Sequence, residues 1–514
     1  MDVVTVSAAP IGRLGQAWRA CVGTGRASLS LRSEFRAGAA LARRVIGFEH
    51  IRGHGLFCDD MGIVRQSQGV RRYGFTYLDE VCDTYRDLGL RPILELGFMP
   101  GLLASGTQTV FWWRGNVTPP RDLGEWTDLV SATLRHLIAR YGPDEVTAWP
   151  VEVWNEPNLP EFWQNADQAA YLRLYEATAR AVKAIDPRFQ VGGPAVAPDA
   201  PDWIRAFAEH VGAHDVPCDF VSAHAYASGP AQPIPFGTYQ TLQAPGDLLA
   251  QFGLARRVLA DTPLAGRPTF ITEFNTSYRP DNPIHDTAYN ACYLAPVLAA
   301  GGQQADLLAY WTLCDVFEEE DVPTALFHGG FGLLARHQLR KPTWHLYAFM
   351  ARLGDEVLAR GTDHLVTRND DGRLAILAWQ PLGGSDEGRY GEAPASHRLR
   401  LSLPVGAAPG HRPVAFVRHR VHERAGNAWT LWRELGRPAA PDNRTLELLY
   451  DAAEPLVEHG ALATDPGGRL ELDLTLERHE ISLIELVPVT PTHHEGLDDS
   501  RLLGQPPVRG GQAS

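Results

Sequence analysis

The chain has 514 residues, 44% hydrophobic and 21% charged, a composition that suits a large globular protein of more than one folding unit and excludes overall disorder. A formal net charge of -14 leaves no basic field to track a nucleic-acid backbone or an anionic membrane, so a small neutral partner is expected, with no nucleic acid and no membrane. Of 47 basic residues only Lys183 and Lys341 are lysines, and neither lies in a G-x-x-x-x-G-K-[ST] string, which excludes a phosphate-loop NTPase.

The opening MDVVTVSAAPIG has no base before Arg13, unlike a secretory leader, and no run of 18 apolar residues follows. Between residues 16 and 354, eight continuous apolar runs alternate with helix-period stretches: Trp18 to Val22, Val45 to Ile51, Pro92 to Gly97, Val146 to Trp154, Phe189 to Pro194, Phe220 to Tyr226, Thr269 to Phe274 and Leu307 to Leu313. Continuous rather than alternating runs are the mark of parallel strands buried on both faces. Eight such units with no G-x-G-x-x-G turn after the first predict an α/β protein with a closed (β/α)8 TIM barrel rather than a doubly wound sheet. Two connecting helices are well patterned. One carries Leu123, Trp126, Val130, Leu134, Leu137 and Ile138 and stops at Gly142-Pro143; the other follows an Asp167 N-cap and stops at Asp186-Pro187.

From residue 355 to 489 short segments such as Arg373 to Trp379, His397 to Leu403, Pro413 to Val421 and Leu470 to Val487 predict an antiparallel β-sandwich. Residues 1–15 are expected to add a strand to it. Residues 490–514, with His493-His494-Glu495, are expected to form a disordered tail and not a metal site. The six cysteines, Cys21, Cys58, Cys82, Cys218, Cys292 and Cys314, form no C-x-x-C pair, so they read as reduced buried thiols; a cytoplasmic protein is expected.

Chemistry concentrates in WPVEVWNEPNLPEFW, where the fourth run ends at Trp154 and Asn155 and Glu156 follow, and in RPTFITEFNTSY, where Glu273 follows the apolar stretch Phe270 to Thr272 of the seventh. The C-terminal ends of barrel strands form the active-site floor. Two glutamates there can approach to about 5–5.5 Å, the separation of a retaining glycosidase, with one carboxyl protonated for the leaving group and the other ionised for attack. Either glutamate alone would read as a loop acid. Asn155 and the aromatics Trp154, Trp163, Phe111, Trp112, Trp113 and Trp311 add amide donors and flat apolar faces, as a sugar site requires. Asp59 and Asp60 read as loop hydrogen-bonding groups; no metal spacing such as H-E-x-x-H is present.

HIRGHGLFCDDMGI, WPVEVWNEPNLPEFW, DFVSAHAY, ITEFNTSY, YWTLCDVFEEEDVP and FHGGFGLL together resemble glycoside hydrolase family 39, closest to its β-xylosidases, with the α-L-iduronidases as relatives. The resemblance runs from about residue 45 to residue 350. It implies Glu156 as acid/base, Glu273 as nucleophile, Asn155 on the 2-hydroxyl and His54 near the 3-hydroxyl, where the alternative is a structural strand-end histidine. It places Phe111, His224 and Tyr226 at the site, gives Tyr278 a hydrogen bond to the nucleophile, and makes Trp311 the floor beneath the ring. Glu318 and Glu319 resemble the acids that bond the distal hydroxyls, a solvated acidic loop being the alternative. Phe274, Ala223 and Cys314 depart from the pattern beside the site. The resemblance implies an exo-acting β-xylosidase without cofactor or metal, assembled as a homo-oligomer (tetramer or dimer). Alternatives are an α-L-arabinosidase, an α-L-iduronidase using Arg52, Arg114 or Arg279 for the substrate carboxylate, or a non-catalytic carbohydrate-binding protein.

Overall fold

The computed structural model describes residues 3–235, 237–383, 392–405 and 413–489. The expected tail at 490–514, with His493-His494-Glu495, lies outside the described residues. Eight parallel strands close into a barrel: β1 (Cys21–Arg26), β2 (His50–His54), β3 (Arg91–Leu96), β4 (Val151–Val153), β5 (Val191–Val196), β6 (Phe220–Tyr226), β7 (Thr269–Asn275) and β8 (Leu307–Tyr310), with β8 pairing back to β1 through Ala309 opposite Cys21. Every residue of β5 and β6 is buried, which is why these segments read as unbroken apolar runs.

Four of the eight runs begin before their strand, the run at Phe189 by two residues and the other three inside a helix. Trp18 sits in the 3-10 turn Ala17–Arg19, Val45 ends the helix Ser33–Val45, and Val146 ends the short helix Pro143–Val146, in which Pro143 occupies the first turn. An apolar residue packed at a helix end and the strand that follows it make one continuous run, and periodicity cannot divide them.

Helix α1 (Leu123–Tyr141) starts at Asp122, whose side chain accepts from Glu125 N at 3.0 Å, and α2 (Gln168–Ile185) starts at Asp167, which accepts from Ala170 N at 3.0 Å. Their buried faces meet where Trp126 Nε1 donates to Thr178 Oγ1 at 2.8 Å.

The C-terminal region is two packed sheets. Strands β9 (Glu356–Arg360), β10 (His364–Arg368), β11 (Leu374–Trp379), β13 (Pro413–Val421), β14 (Leu456–Ala463) and β16 (Ile481–Pro488) form the larger with Gly12–Arg13; β12 (Ser396–Pro404) and β15 (Arg469–Glu477) form the smaller with Val4–Thr5. The segment Leu470 to Val487 is therefore two strands in different sheets, parted by a turn at His479 with φ +56°. Along β11, Leu374, Ile376 and Ala378 face the smaller sheet while Ala375, Leu377 and Trp379 face the barrel. Helix α3 (Ala288–Gly301), covered by barrel and sheet together, is buried on nearly all sides. Two helices absent from the sequence reading, α4 (Ala428–Glu434) and α5 (Asn443–Ala452), pack against Leu326, Phe327 and Leu339 and so brace the long loop after β8. Among the described residues no helix is long and apolar enough to cross a membrane.

Candidate active site

A cavity of about 820 Å³ opens at the C-terminal ends of the barrel strands. Its lining includes His54, Phe111, Asn155, Glu156, Tyr226, Glu273, Tyr278, Trp311 and Glu319. The β4 exit is tight: Trp154 and Glu156 both adopt positive φ (+72° and +43°), Glu156 N donates to Ala195 O at 2.8 Å, and Leu159 N returns to Glu156 O at 3.0 Å. Left-handed backbone at two bulky residues costs energy that this turn's bonds and the following Pro157 hold in place.

Glu273, at the end of β7, is held by four neighbours. Arg52 Nη1 donates to its Oε1 at 2.7 Å, His54 Nε2 lies 3.2 Å from the same oxygen, Tyr226 Oη donates to Oε2 at 2.8 Å, and His224 Nδ1 lies 3.6 Å from Oε2. Burial opposes its charge, but His224, His54 and Arg52 outweigh burial and hold the carboxyl well below the ordinary carboxylate range. Glu156 Oε1 lies 2.8 Å from His224 Nδ1. A carboxylate oxygen of each glutamate and a His224 ring nitrogen all lie within 4.8 Å of one another, the one grouping among the described residues of a size to share a cation. That spacing also brings the two carboxyls to the separation needed to act on opposite faces of one anomeric carbon.

Beneath this pair lies a sealed polar layer. Arg52, fully buried, donates to Glu152 Oε2 at 2.5 Å and to Asn155 Oδ1 at 2.9 Å, and pairs with Glu95 Oε2 at 2.9 Å. Because Asn155 Oδ1 is taken, its side chain has N–H donors left to offer. Glu152 accepts from Thr272 Oγ1 at 2.8 Å, and Glu95 from His54 Nδ1 at 2.8 Å. The His54 ring sits 4.6 Å from Trp311, which requires Gly23 beneath it: a Cβ there would meet Trp311 at 2.3 Å.

The structure redistributes several expectations. Tyr226, not Tyr278, bonds Glu273; the Tyr278 hydroxyl accepts from Ala231 N at 3.2 Å and the residue is 42% exposed at the rim. Glu318 points away from the cavity into Arg26 (2.7 Å) and Arg32, and only Glu319 of that doublet lines it. Burial, and after it Glu273 and Glu156 against the attraction of His54, push the Glu319 carboxyl well above the ordinary range. Of the aromatics, Phe111, Trp112 and Trp311 line the cavity with Phe162, whereas Trp154 and Trp163 are fully buried against each other and Trp113 lies beneath Phe111. The hairpin carrying Phe111 and Trp112 is tied to the β8 loop by Trp112 N to Glu319 O at 2.7 Å. Asp59 accepts from Gly101 N and Asp60 pairs with Arg26.

Glu95 and Glu152 were not among the expected site residues, and Arg52 was expected only as a partner for an iduronate carboxylate. The signal was present: charged residues inside otherwise apolar runs of parallel strands must be paired. Arg52 and His54, two apart on one strand, share a face.

The sequence matches the description Glycosyl hydrolases family 39 over residues 1–470. A beta-xylosidase of Geobacillus stearothermophilus is 44% identical over 511 residues, 98% of this chain and 99% of the relative, and one of Caldicellulosiruptor saccharolyticus is 32% identical, with 93% and 96% covered. Among solved structures, a monomeric beta-xylosidase from Caulobacter crescentus CB15 superimposes with TM-score 0.87 at 32% identity, covering 95% of this chain and all of that one.

Proposed function

This chain belongs to family 39 of the glycosyl hydrolases, and on that premise we propose that it is a retaining β-xylosidase releasing xylose from the non-reducing ends of short xylo-oligosaccharides. The observation that carries the mechanism is the approach of Glu156 and Glu273 to within 4.8 Å across His224. Glu156 gives a proton to the glycosidic oxygen as a Glu273 oxygen bonds to C1, and the C1–O bond to the leaving group breaks with its electron pair taking that proton. Water then takes the place of the leaving group. Glu156, now ionised, accepts a proton from it, the water oxygen bonds to C1, and the ester bond to Glu273 breaks to return the carboxylate. Arg52, His54 and Tyr226, which bond that carboxylate in the free enzyme, favour its departure in the second step. Glu319, whose carboxyl burial pushes well above the ordinary range, offers a hydrogen-bonding group to the sugar, and Trp311 offers a flat face.

A neutral glycone is favoured over an iduronate. Arg52 is sealed by Glu95, Glu152 and Glu273, Arg114 is not part of the cavity lining, and Arg279 is engaged by Asp281 at 3.1 Å and Glu320 at 2.8 Å. Hydrolysis of nitrophenyl β-xyloside, α-arabinoside and α-iduronide side by side tests this: the xyloside should be cleaved with the highest kcat/KM, and a preference for either of the others overturns the specificity. Six unpaired buried cysteines support a cytoplasmic location. The Caulobacter relative is described as monomeric, and light scattering decides between that state and the dimer or tetramer expected from the resemblance.

A further inference from the structure

We propose that Glu95 is a positioning residue for the reaction: from β3 it fixes the ring and the positive charge of His54, and through His54 it keeps the reacting carboxylate of Glu273 aimed and stabilised. The proposal rests on the reading of Glu273 as nucleophile. Glu95 is 1% exposed and does not line the cavity, so it cannot touch the sugar. Its Oε2 lies 2.8 Å from His54 Nδ1, and the other ring nitrogen, Nε2, lies 3.2 Å from Glu273 Oε1. A neutral imidazole has one N–H and one lone pair, so a ring set between two carboxylates satisfies both only as the doubly protonated cation. Phe98, Phe111 and Trp311 pack around the ring, their centroids 5.8, 6.1 and 4.6 Å from it.

The titratable and charged groups facing His54 are Glu95 from β3, Glu273 from β7, Arg52 on its own strand and, from the β8 loop, Glu319, whose carboxyl is pushed well above the ordinary range. Burial would strip the proton from His54, but Glu95 and Glu273 outweigh it and push the pKa up to about 10. The covalent intermediate exposes the purpose of Glu95. Once Glu273 becomes an ester it loses its charge, and Glu95 is then the anion in contact with His54. With Glu95 present, the ring keeps its Nε2 proton and meets the carboxylate oxygen as the ester bond breaks. Without it, a buried neutral ring that donates from Nδ1 turns a lone pair toward that oxygen.

The test uses 2,4-dinitrophenyl β-xyloside, whose leaving group departs without protonation, so breakdown of the covalent intermediate limits kcat, and Glu156, acting there as the base, shapes only its acid side. Glu95→Gln should acquire an alkaline limb in kcat between about pH 6 and pH 8, with kcat about tenfold or more lower at pH 8 than at pH 5.5, because in the covalent intermediate His54 then has neither carboxylate beside it and titrates like an ordinary or buried imidazole. Glu95→Asp, which keeps the charge, should retain the wild-type profile shape. A Glu95→Gln profile parallel to wild type overturns the proposal. Should Glu95→Gln not fold, the wild type still decides: its profile on this substrate must stay flat to about pH 9, and an alkaline limb between about pH 6 and pH 8 overturns the proposal. Azide rescue of Glu273→Ala separates the two readings. Rescue together with a parallel Glu95→Gln profile sinks only the role of Glu95, whereas absence of rescue sinks the nucleophile on which it rests.

Discussion

Two ion clusters are buried in this barrel, and they differ in one respect that separates chemistry from support. At the cavity floor, Arg52 and His54 face Glu95, Glu152 and Glu273, and one of those carboxylates opens onto the sugar site. Behind the β8 loop, Lys341 contacts Asp286 and Asp315, each at 2.6 Å, and Gly330 O at 2.8 Å, while the two aspartates accept from Gly329 N and Gly332 N at 2.7 Å. The Lys341 ammonium is fully buried among these groups, and none of these three side chains lines the cavity. The second cluster clamps the loop that presents Phe331 and Glu319; the first presents a charge that can be consumed and restored. Burial of charge alone is thus no guide to function, whereas a buried charge with one face open to a cavity is.

The largest test of this contrast is Glu273→Gln, which should lower kcat/KM on a xyloside by on the order of 10⁴-fold or more per folded molecule. Near-normal turnover would erase the distinction. Lys341→Met should do the reverse: removing one member of a buried ion cluster costs about 3–5 kcal/mol, seen in denaturant unfolding, while kcat/KM per folded molecule changes less than about tenfold.

The two clusters should also fail at opposite ends of the pH scale. His224, His54 and Arg52 overcome burial to hold the Glu273 carboxyl below its ordinary 4.5, so its contribution to stability is present above pH 4.5 and is lost as pH falls through the lower folded value. Asp286 and Asp315 overcome burial to hold the Lys341 ammonium above its ordinary 10.5, so its contribution is present below pH 10.5 and is lost as pH rises through the higher folded value. Unfolding free energies across both ranges check this: Glu273→Gln should flatten the acid side and Lys341→Met the alkaline side. Smaller effects follow at the sugar face. Gly23→Ala pushes on the Trp311 ring and should reduce kcat/KM by about tenfold through displaced substrate. Dialysis against chelator should leave activity unchanged; a loss restored by a divalent cation would assign the Glu156, His224 and Glu273 triangle to a metal instead.

What was legible in the sequence follows the same division. The barrel, its strand order and the two glutamates could be read because a strand buried on both faces is an unbroken apolar run and because Glu156 and Glu273 break such runs at their C-terminal ends. Glu95 and Glu152 break runs as well, but in their middle, and identifying them as partners of Arg52 needs the closure that sets β2, β3 and β4 side by side. Tyr226 and Tyr278 illustrate the limit at shorter range. Both are tyrosines at strand exits, and only the two-residue alternation of β6, which turns His224 and Tyr226 to the same side, favours the first. Glu318 and Glu319 were inseparable as a doublet, since which acid enters the cavity depends on Arg26 and Arg32 reaching Glu318 from the exit of β1. The helices α4 and α5 escaped because the region around them alternates like a sandwich, and their apolar faces serve the β8 loop rather than the sheets.

The central claim, that Glu156 and Glu273 act as acid/base and nucleophile of a double displacement, is tested most directly by azide rescue on p-nitrophenyl β-xyloside, with the product anomer read by NMR. The account predicts β-xylosyl azide from Glu156→Ala, by attack on the intact covalent intermediate, and α-xylosyl azide from Glu273→Ala, by direct displacement. Exchange of those two products between the variants would reverse the roles, and rescue of neither with full activity retained in both would place the chemistry on other residues.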